Sequence, residues 1–301
     1  MRSVVALLTF LTLTLSLQSQ EQAVKRPRIL GIDHVAFYTT QSDGVKALYG
    51  GALGLVSAAP IESGELTRYF VGKQWVGFSA DPDPKSPNRL DHLAFATDDA
   101  AGLRQYLISK NIKVEEIKNL GDGSPSFFMT DPDGHQIQFV QPNKSDSPAV
   151  PSESAVSRHM IHAGFLVHDR DAEDHFYRDL LGFHIYWHGG MQPGRTDWVA
   201  MQVPDGTDWL EYMLNHPEHP DLQTLGVLDH ISLGVADMKT AQALLETHGW
   251  KPNAREKAQM GKDGKWQLNL FDPDLSRIEL MDFKPSEKPC CSDFTGPHPS
   301  E

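Results

Sequence analysis

The sequence predicts an α+β protein built from four β-α-β-β-β units, taken two to a domain. Three observations predict it. A His-centred run of alternating apolar residues recurs as I-D-H-V-A-F-Y (32–38), L-D-H-L-A-F-A (90–96), I-H-A-G-F-L-V (161–167) and L-D-H-I-S-L-G-V (228–235); alternation with period two marks a strand. Each run is followed by a polar turn and a helical stretch. Between the second and third units lies P-N-K-S-D-S-P-A-V-P-S-E-S-A-V-S (142–157), whose Pro and Ser content suits a linker.

Taken in order, residues 1–20 open with one Arg, continue with an apolar core from Val4 to Leu17 and end in small and polar residues. That is the form of a secretory signal peptide, with Ser19 a plausible cleavage point. The stretch is short and rich in Thr and Ser for a membrane span, with an uncleaved anchor as the alternative. Helices are expected over Asp43–Leu53, Asp98–Lys110, Asp171–Leu181 and Asp237–His248. Three of them end in L-G-L, L-G-F and H-G-W, where glycine suits a helix C-cap. Three short strand-like runs complete each unit. Units one and two are parted by D-P-D-P-K-S-P-N-R (81–89), units three and four by N-H-P-E-H-P-D (215–221). The expected domains are 27–142 and 158–285, with a linker over 143–157 and a polar tail over 286–301.

The 301 residues suffice for two domains, and the net charge of −13 disfavours nucleic acid or an anionic membrane, both of which need a basic face. Cys290 and Cys291 are the only cysteines. They lie in the tail, which reads as loosely held, and supply no disulfide framework for the core. Export with a cysteine-free core suits a periplasmic or secreted protein, without membrane contact once the leader is cleaved.

The second half carries ligand-type residues at regular places: His162, Glu211, His230 and Glu279, separated by 49, 19 and 49 residues. Each lies in an apolar strand-like run. Two imidazoles and two carboxylates suit a divalent Zn, Fe, Mn, Ni or Co ion, and a buried carboxylate needs a cation partner. In the first half Q-W-V-G-F (74–78) overlays D-W-L-E-Y (208–212), and I-Q-F-V (137–140) overlays I-E-L-M (278–281). Gly77 and Gln138 thus stand where Glu211 and Glu279 stand, leaving His34 and His92 without a carboxylate. Domain one is therefore expected to be degenerate as a metal site. His135, His168, His188, His216, His219 and His298 are expected at the surface. Phe176, Leu180 and Leu181 should pack in the core. Trp187, Trp198, Trp209 and Trp266 are candidates for a pocket wall, with sheet packing as the alternative.

The His-bearing first strands, F-Y-R-D-L-L-G-F (176–183), D-P-D-G-H-Q-I-Q (131–138) and D-P-D-L-S-R-I-E (272–279) together resemble the vicinal-oxygen-chelate superfamily of glyoxalases, extradiol dioxygenases and bleomycin-resistance proteins. The resemblance covers nearly everything after the leader. It implies that paired units curl into one cup-like sheet, with ligands from first and last strands pointing inward. It also implies a small-molecule substrate that chelates the ion through oxygen. In glyoxalase-type members a His, Glu, His, Glu set holds the metal, and a ligating Glu shuttles a proton to and from an enediolate; Glu279 is the expected shuttle and Glu211 the other candidate. In extradiol dioxygenases two His and one carboxylate hold Fe(II), here His162, His230 and Glu279. That family places a catalytic His at the slot of Glu211 and a Tyr at that of Asn269, which favours the lyase or isomerase reading. A non-catalytic binding protein is the third reading, disfavoured by the filled quartet. A homodimer is left open.

Overall fold

The computed structural model describes residues 24–143 and 152–301; the expected leader and most of the linker lie outside them. Two eight-stranded sheets make up the described chain. In the first, β1 (Ile29–Thr39), β2 (Val56–Ala58), β3 (Glu65–Val71), β4 (Gln74–Ala80), β5 (Leu90–Thr97), β6 (Lys118–Asn119), β7 (Pro125–Thr130) and β8 (Gln136–Val140) take the order β2-β3-β4-β1-β5-β8-β7-β6. The second comprises β9 (Met160–Leu166), β10 (His184–Gly189), β11 (Trp198–Gln202), β12 (Trp209–Met213), β13 (His230–Val235), β14 (Gln259–Met260), β15 (Trp266–Phe271) and β16 (Arg277–Asp282). Its order, β10-β11-β12-β9-β13-β16-β15-β14, repeats the first. Each sheet is thus two β-α-β-β-β units joined through their first strands, which pair antiparallel as β1 with β5 and β9 with β13.

The helices are α1 (42–52), α2 (Ala100–Ser109), α3 (170–180), α4 (Leu222–Leu228) and α5 (Met238–Thr247). In α1 and α3 the first turn is α-helical and the remainder widens to π pitch, over Lys46–Ala52 and Asp174–Leu180. Asp99, Asp169, Asp221 and Asp237 cap α2 to α5 by accepting the backbone N–H three residues on, each cap stabilising by about 1 kcal/mol. Gly54, Gly182 and Gly249 end helices at φ of +66°, +81° and +89°, and Asn111 does the same for α2 at +62°. Asn is the side chain that best tolerates this left-handed cap. The short helix α4, in the stretch following 215–221, was not expected. Its Asp221–Thr224 cap is visible in the sequence, but Gly226 in mid-helix weakens the signal.

Helices cover one face of each sheet, and buried apolar residues of both domains form one continuous core there. Phe176 and Leu181 are buried in it and Leu180 packs against it. The domains also clasp reciprocally. Asp274, in the β15–β16 turn, accepts hydrogen bonds from Thr39 Oγ1 (2.6 Å) and Thr40 N (3.0 Å) at the start of α1. Asp133, in the β7–β8 turn, likewise accepts from His168 N (2.5 Å) and Asp169 N (3.2 Å) before α3. His135 belongs to this junction rather than the open surface: its ring stacks on Phe165 at 3.8 Å and bonds Asp131 at 2.9 Å. Among the described residues no helix is long and apolar enough to cross a membrane.

The tail, expected to be loose, is instead laid along the edge of the second sheet. Thr295 N bonds Tyr186 O at 3.0 Å, Trp187 Nε1 bonds Cys290 O at 3.2 Å, and Gln202 Nε2 bonds Pro297 O at 2.9 Å. Phe294 packs on Tyr186, and His298 bonds the Tyr186 hydroxyl, so His298 is not a free surface residue either. Cys290 and Cys291 are disulfide-bonded to one another. The apolar ring of Phe294 and the unpaired edge of β10 explain why a polar segment docks here.

Glu173 on α3 is fully buried at the clasp, and only Oε1 finds a donor, Asp133 N at 2.9 Å. Burial, and then the nearby Asp131, push its pKa up to about 9. A raised carboxylate contributes stability that is present in full below 4.5 and lost as pH climbs through about 9. Thermal unfolding of Glu173→Gln across pH 5 to 9 should therefore show a smaller fall in Tm than the parent. Parallel curves for the two proteins would contradict this.

Candidate metal centre

The four central strands of domain two, in the order β12-β9-β13-β16, set the site by register. One rung across them reads Glu211, Gly164, His230, Arg277; the next reads Trp209, His162, Ser232, Glu279. Rungs two residues apart face the same side of a sheet, so all four expected ligands project from one concave face. Small residues sit between the long ones. A Cβ on Gly164 would lie 2.1 Å from His230 Cε1, so only glycine lets that imidazole lie over its neighbour strand.

The quartet converges. His162 Nε2 is 3.1 Å from His230 Nε2 and 3.3 Å from Glu279 Oε2. Glu211 Oε2 is 3.3 Å from His230 Nε2 and 3.8 Å from His162 Nε2. His230 Nδ1 donates to Leu228 O at 2.7 Å, which fixes the proton on Nδ1 and leaves the Nε2 lone pair facing the quartet. Burial lowers the pKa of both imidazoles, to about 3 for His230 with Arg277 adding to the effect. Both are thus neutral donors. Burial works to raise Glu279, yet the His162 hydrogen bond and Arg277 outweigh it and hold the carboxyl at about 2. Glu211 goes the other way, raised mainly by burial. Two neutral imidazoles facing two buried carboxylates fit a divalent cation of the Zn, Fe or Mn kind.

A cavity of about 330 Å³ opens on this cluster. Glu211 and Glu279 form its floor, and Trp187, Trp198 and Trp209 contribute walls. Trp266 points to solvent. Asn269 occupies the wall beside Arg277. Lys265 was not anticipated. It is fully buried in the cavity wall, its Nζ has no hydrogen-bond partner, and it lies 4.6 Å from the Trp209 ring and 5.3 Å from that of Phe294. Burial lowers its pKa to about 8, against the pull of Asp263 and Glu279. A single Lys in a turn gives no sequence signal, and Phe294 arrives only through the tail's docking.

Domain one repeats the rungs. Gly77 pairs with Ala36 and Ala36 with His92, while Trp75 pairs with His34, His34 with Ala94 and Ala94 with Gln138. Gly77 and Gln138 thus occupy the slots of Glu211 and Glu279. The expectation that His34 and His92 lack a carboxylate is overturned, because Glu62 reaches them from the β2–β3 turn. Its Oε2 is 3.2 Å from His92 Nε2 and its Oε1 3.8 Å from His34 Nε2. Burial favours its neutral form, but His92 and His34 more than offset this and hold it at about 2. Turn residues outside the repeated strands are invisible to a repeat-by-repeat overlay.

Among the described residues, His34, Glu62 and His92 form one group able to hold a metal ion, and His162, His230 and Glu279 another. A third, Asp131, His135 and Glu173, is the interdomain clasp.

A doubled cup of this topology, with a His and carboxylate cluster in each, defines a class. The sequence profile of the Glyoxalase/Bleomycin resistance protein/Dioxygenase superfamily matches residues 31–139 and 155–280, and the chain belongs to that superfamily. Its solved structural relatives include the homoprotocatechuate 2,3-dioxygenase of Arthrobacter globiformis, at 14% identity and a TM-score of 0.66 over 86% of this chain and 81% of that one. A variant of the B. fuscum homoprotocatechuate 2,3-dioxygenase in complex with HPCA gives 16% identity and 0.65 over 86% and 72%. The 2,3-dioxygenase LapB of Pseudomonas sp. KL28 gives 14% and 0.64 over 92% and 96%. At such identities the likeness is one of fold. No curated protein matches the sequence.

Gly164→Ala tests the register argument directly. The new methyl group displaces the His230 ring, and overpacking of this kind costs about 1–3 kcal/mol. The expected result is a lower Tm together with weakened metal uptake by domain two. Unchanged uptake would show that the His230 position does not depend on that glycine.

Proposed function

We propose that the domain-two cup is the active site of a divalent-metal-dependent lyase or isomerase of glyoxalase type, acting on a small molecule that presents two neighbouring oxygens. The observation that carries this reading is Glu211, a second carboxylate lying 3.3 Å from His230 Nε2 on the cavity floor. A divalent ion on His162, His230, Glu279 and Glu211 would supply Lewis acidity toward the substrate's oxygens.

The chain's own residues divide the remaining work. Glu279 is buried, held ionised and fastened to His162, which suits an anchor. Glu211 has the raised pKa and the more accessible carboxylate, at 14% exposure against 4%. We therefore assign proton transfer to Glu211 rather than to Glu279: its Oε2 takes a proton from a carbon beside a carbonyl and returns it to the neighbouring atom. Lys265 and Arg277 put positive charge along the same cavity, which suits a substrate with an anionic substituent. The tryptophans keep water from the reacting face.

One observation favours a second reading, extradiol ring cleavage. The structural relatives named above are dioxygenases with a comparable fold, and His162, His230 and Glu279 alone form a compact two-His, one-carboxylate group. In that reading Glu211 serves as acid and base beside the triad.

Metal analysis joined to oxygen-electrode assays separates the two. Proton-transfer chemistry predicts turnover without oxygen consumption and exchange of a substrate C–H with solvent deuterium. Catechol-dependent oxygen uptake with Fe(II) would replace it by ring cleavage. In either case Glu211→Gln should lower kcat by about 10²–10⁴-fold, the usual contribution of a general base. Lys265→Met should raise KM about 10–100-fold with little change in kcat, since a hydrogen bond to a charged group contributes about 1.5–3 kcal/mol. Equal KM values in parent and variant would remove Lys265 from substrate binding.

A further inference from the structure

We infer that domain one holds a second divalent cation, on His34, His92 and Glu62, with its carboxylate supplied by a turn instead of a strand. The imidazole pair there matches that of domain two. The Nε2 atoms are 3.0 Å apart against 3.1 Å, and in both domains the ring centroids lie 5.1 Å apart at 85°. This geometry has been kept although the strand carboxylates are absent.

The groups around the two rings suit a cation between them. His34 Nδ1 lies 2.7 Å from Asp33 Oδ2, and His92 Nδ1 lies 3.5 Å from Asp91 Oδ2. A carboxylate beside Nδ1 orients each ring with its Nε2 toward the metal position. Here both Nε2 atoms and the Glu62 carboxylate meet in a buried space, each within 4.8 Å of the others. Such a meeting away from water needs a positive charge. A bound ion supplies it or, in its absence, a proton on His92, where Asp91 and Glu62 outweigh burial and raise the pKa to about 9.

Glu62 is held for the task. Glu65 Oε2 accepts Ile61 N at 2.7 Å and Glu62 N at 3.3 Å, and Gly121 N bonds Ile61 O at 2.8 Å. The turn is therefore pinned to its own strand and to the neighbouring unit. Gln138, fully buried in the slot of Glu279, donates Nε2 to Glu62 Oε1 at 2.9 Å, and its Oε1 is buried with no partner. Rotation of that amide would offer the orphaned oxygen as a fourth donor. A cavity of about 550 Å³, bordered by Glu62, His92 and Gln138, leaves coordination positions open to a small ligand. The donor set of two imidazoles and one carboxylate selects a first-row divalent ion such as Fe(II), Mn(II), Co(II) or Zn(II).

The test uses full-length protein stripped with chelator and reloaded anaerobically with Co(II) alone. Metal per chain is measured by mass spectrometry and the visible Co(II) bands are recorded. The expected content is two ions in the parent, one in His230→Ala, one in His92→Ala, and none in the double variant. Within the His230→Ala background, Glu62→Gln should abolish the remaining bands while circular dichroism stays unchanged. If His230→Ala does not fold, Glu279→Gln serves in its place. One ion in the parent and none in folded His230→Ala would overturn the inference, the His34–His92 pair then holding only a proton. An ion retained by the Glu62→Gln double variant would overturn the role of Glu62. An ion in His230→Ala but none in His92→Ala would support this site while removing the metal from the domain-two reading.

Discussion

Everything at the centre of this protein follows from the antiparallel pairing of two equivalent strands, β9 with β13 and, in the other domain, β1 with β5. With the first strands paired at the centre, each unit's last strand lies just outside its own first strand and parallel to it. Chemistry-bearing positions that are remote in sequence then fall into adjacent rungs. It also fixes parity: a slip of one residue would turn every ligand onto the helix-covered face. The apolar core on that face resists such a slip, because the same shift would expose its side chains to the cup. The hydrophobic effect is thus what aims the imidazoles.

Within the rungs, electrostatics distinguishes positions that the backbone treats alike. Glu211 and Glu279 occupy equivalent slots, yet one is pushed toward its neutral form and the other held as an anion. The difference lies in neighbours. Glu279 has Arg277 at 3.9 Å and His162 at 3.3 Å, whereas Glu211 faces the cavity with less help. Separating the protonation tendencies of two carboxylates is a common way for one site to provide both an anchor and a proton carrier.

Much of this was legible in the sequence, and for a physical reason. The fourfold architecture is periodic, so the His-bearing runs, the D-P-D turns and the glycines after the helices each appear several times and reinforce one another. The quartet was legible because its spacing repeats. The residues that escaped are those that occur once. Glu62 sits in a turn of one unit, Lys265 in a turn of another, and Phe294 in a segment outside the repeat. Their placement depends on long-range packing that no local window contains. The tail's docking is of the same kind: a Pro-rich polar segment carries no periodicity, and only the open edge of β10 with Tyr186 and Trp187 gives it a seat.

The reciprocal clasp has one further consequence. Asp133 and Asp274 grip the opposite domain from the β7–β8 and β15–β16 turns. The clasp bonds themselves involve none of the groups in either ligand cluster. Donors in a cup can therefore change without breaking the clasp. Domain one illustrates it: a glycine and an amide fill the strand slots, a carboxylate has come in from the side, and the frame is intact. A frame of this kind can carry two unlike donor sets in a single chain.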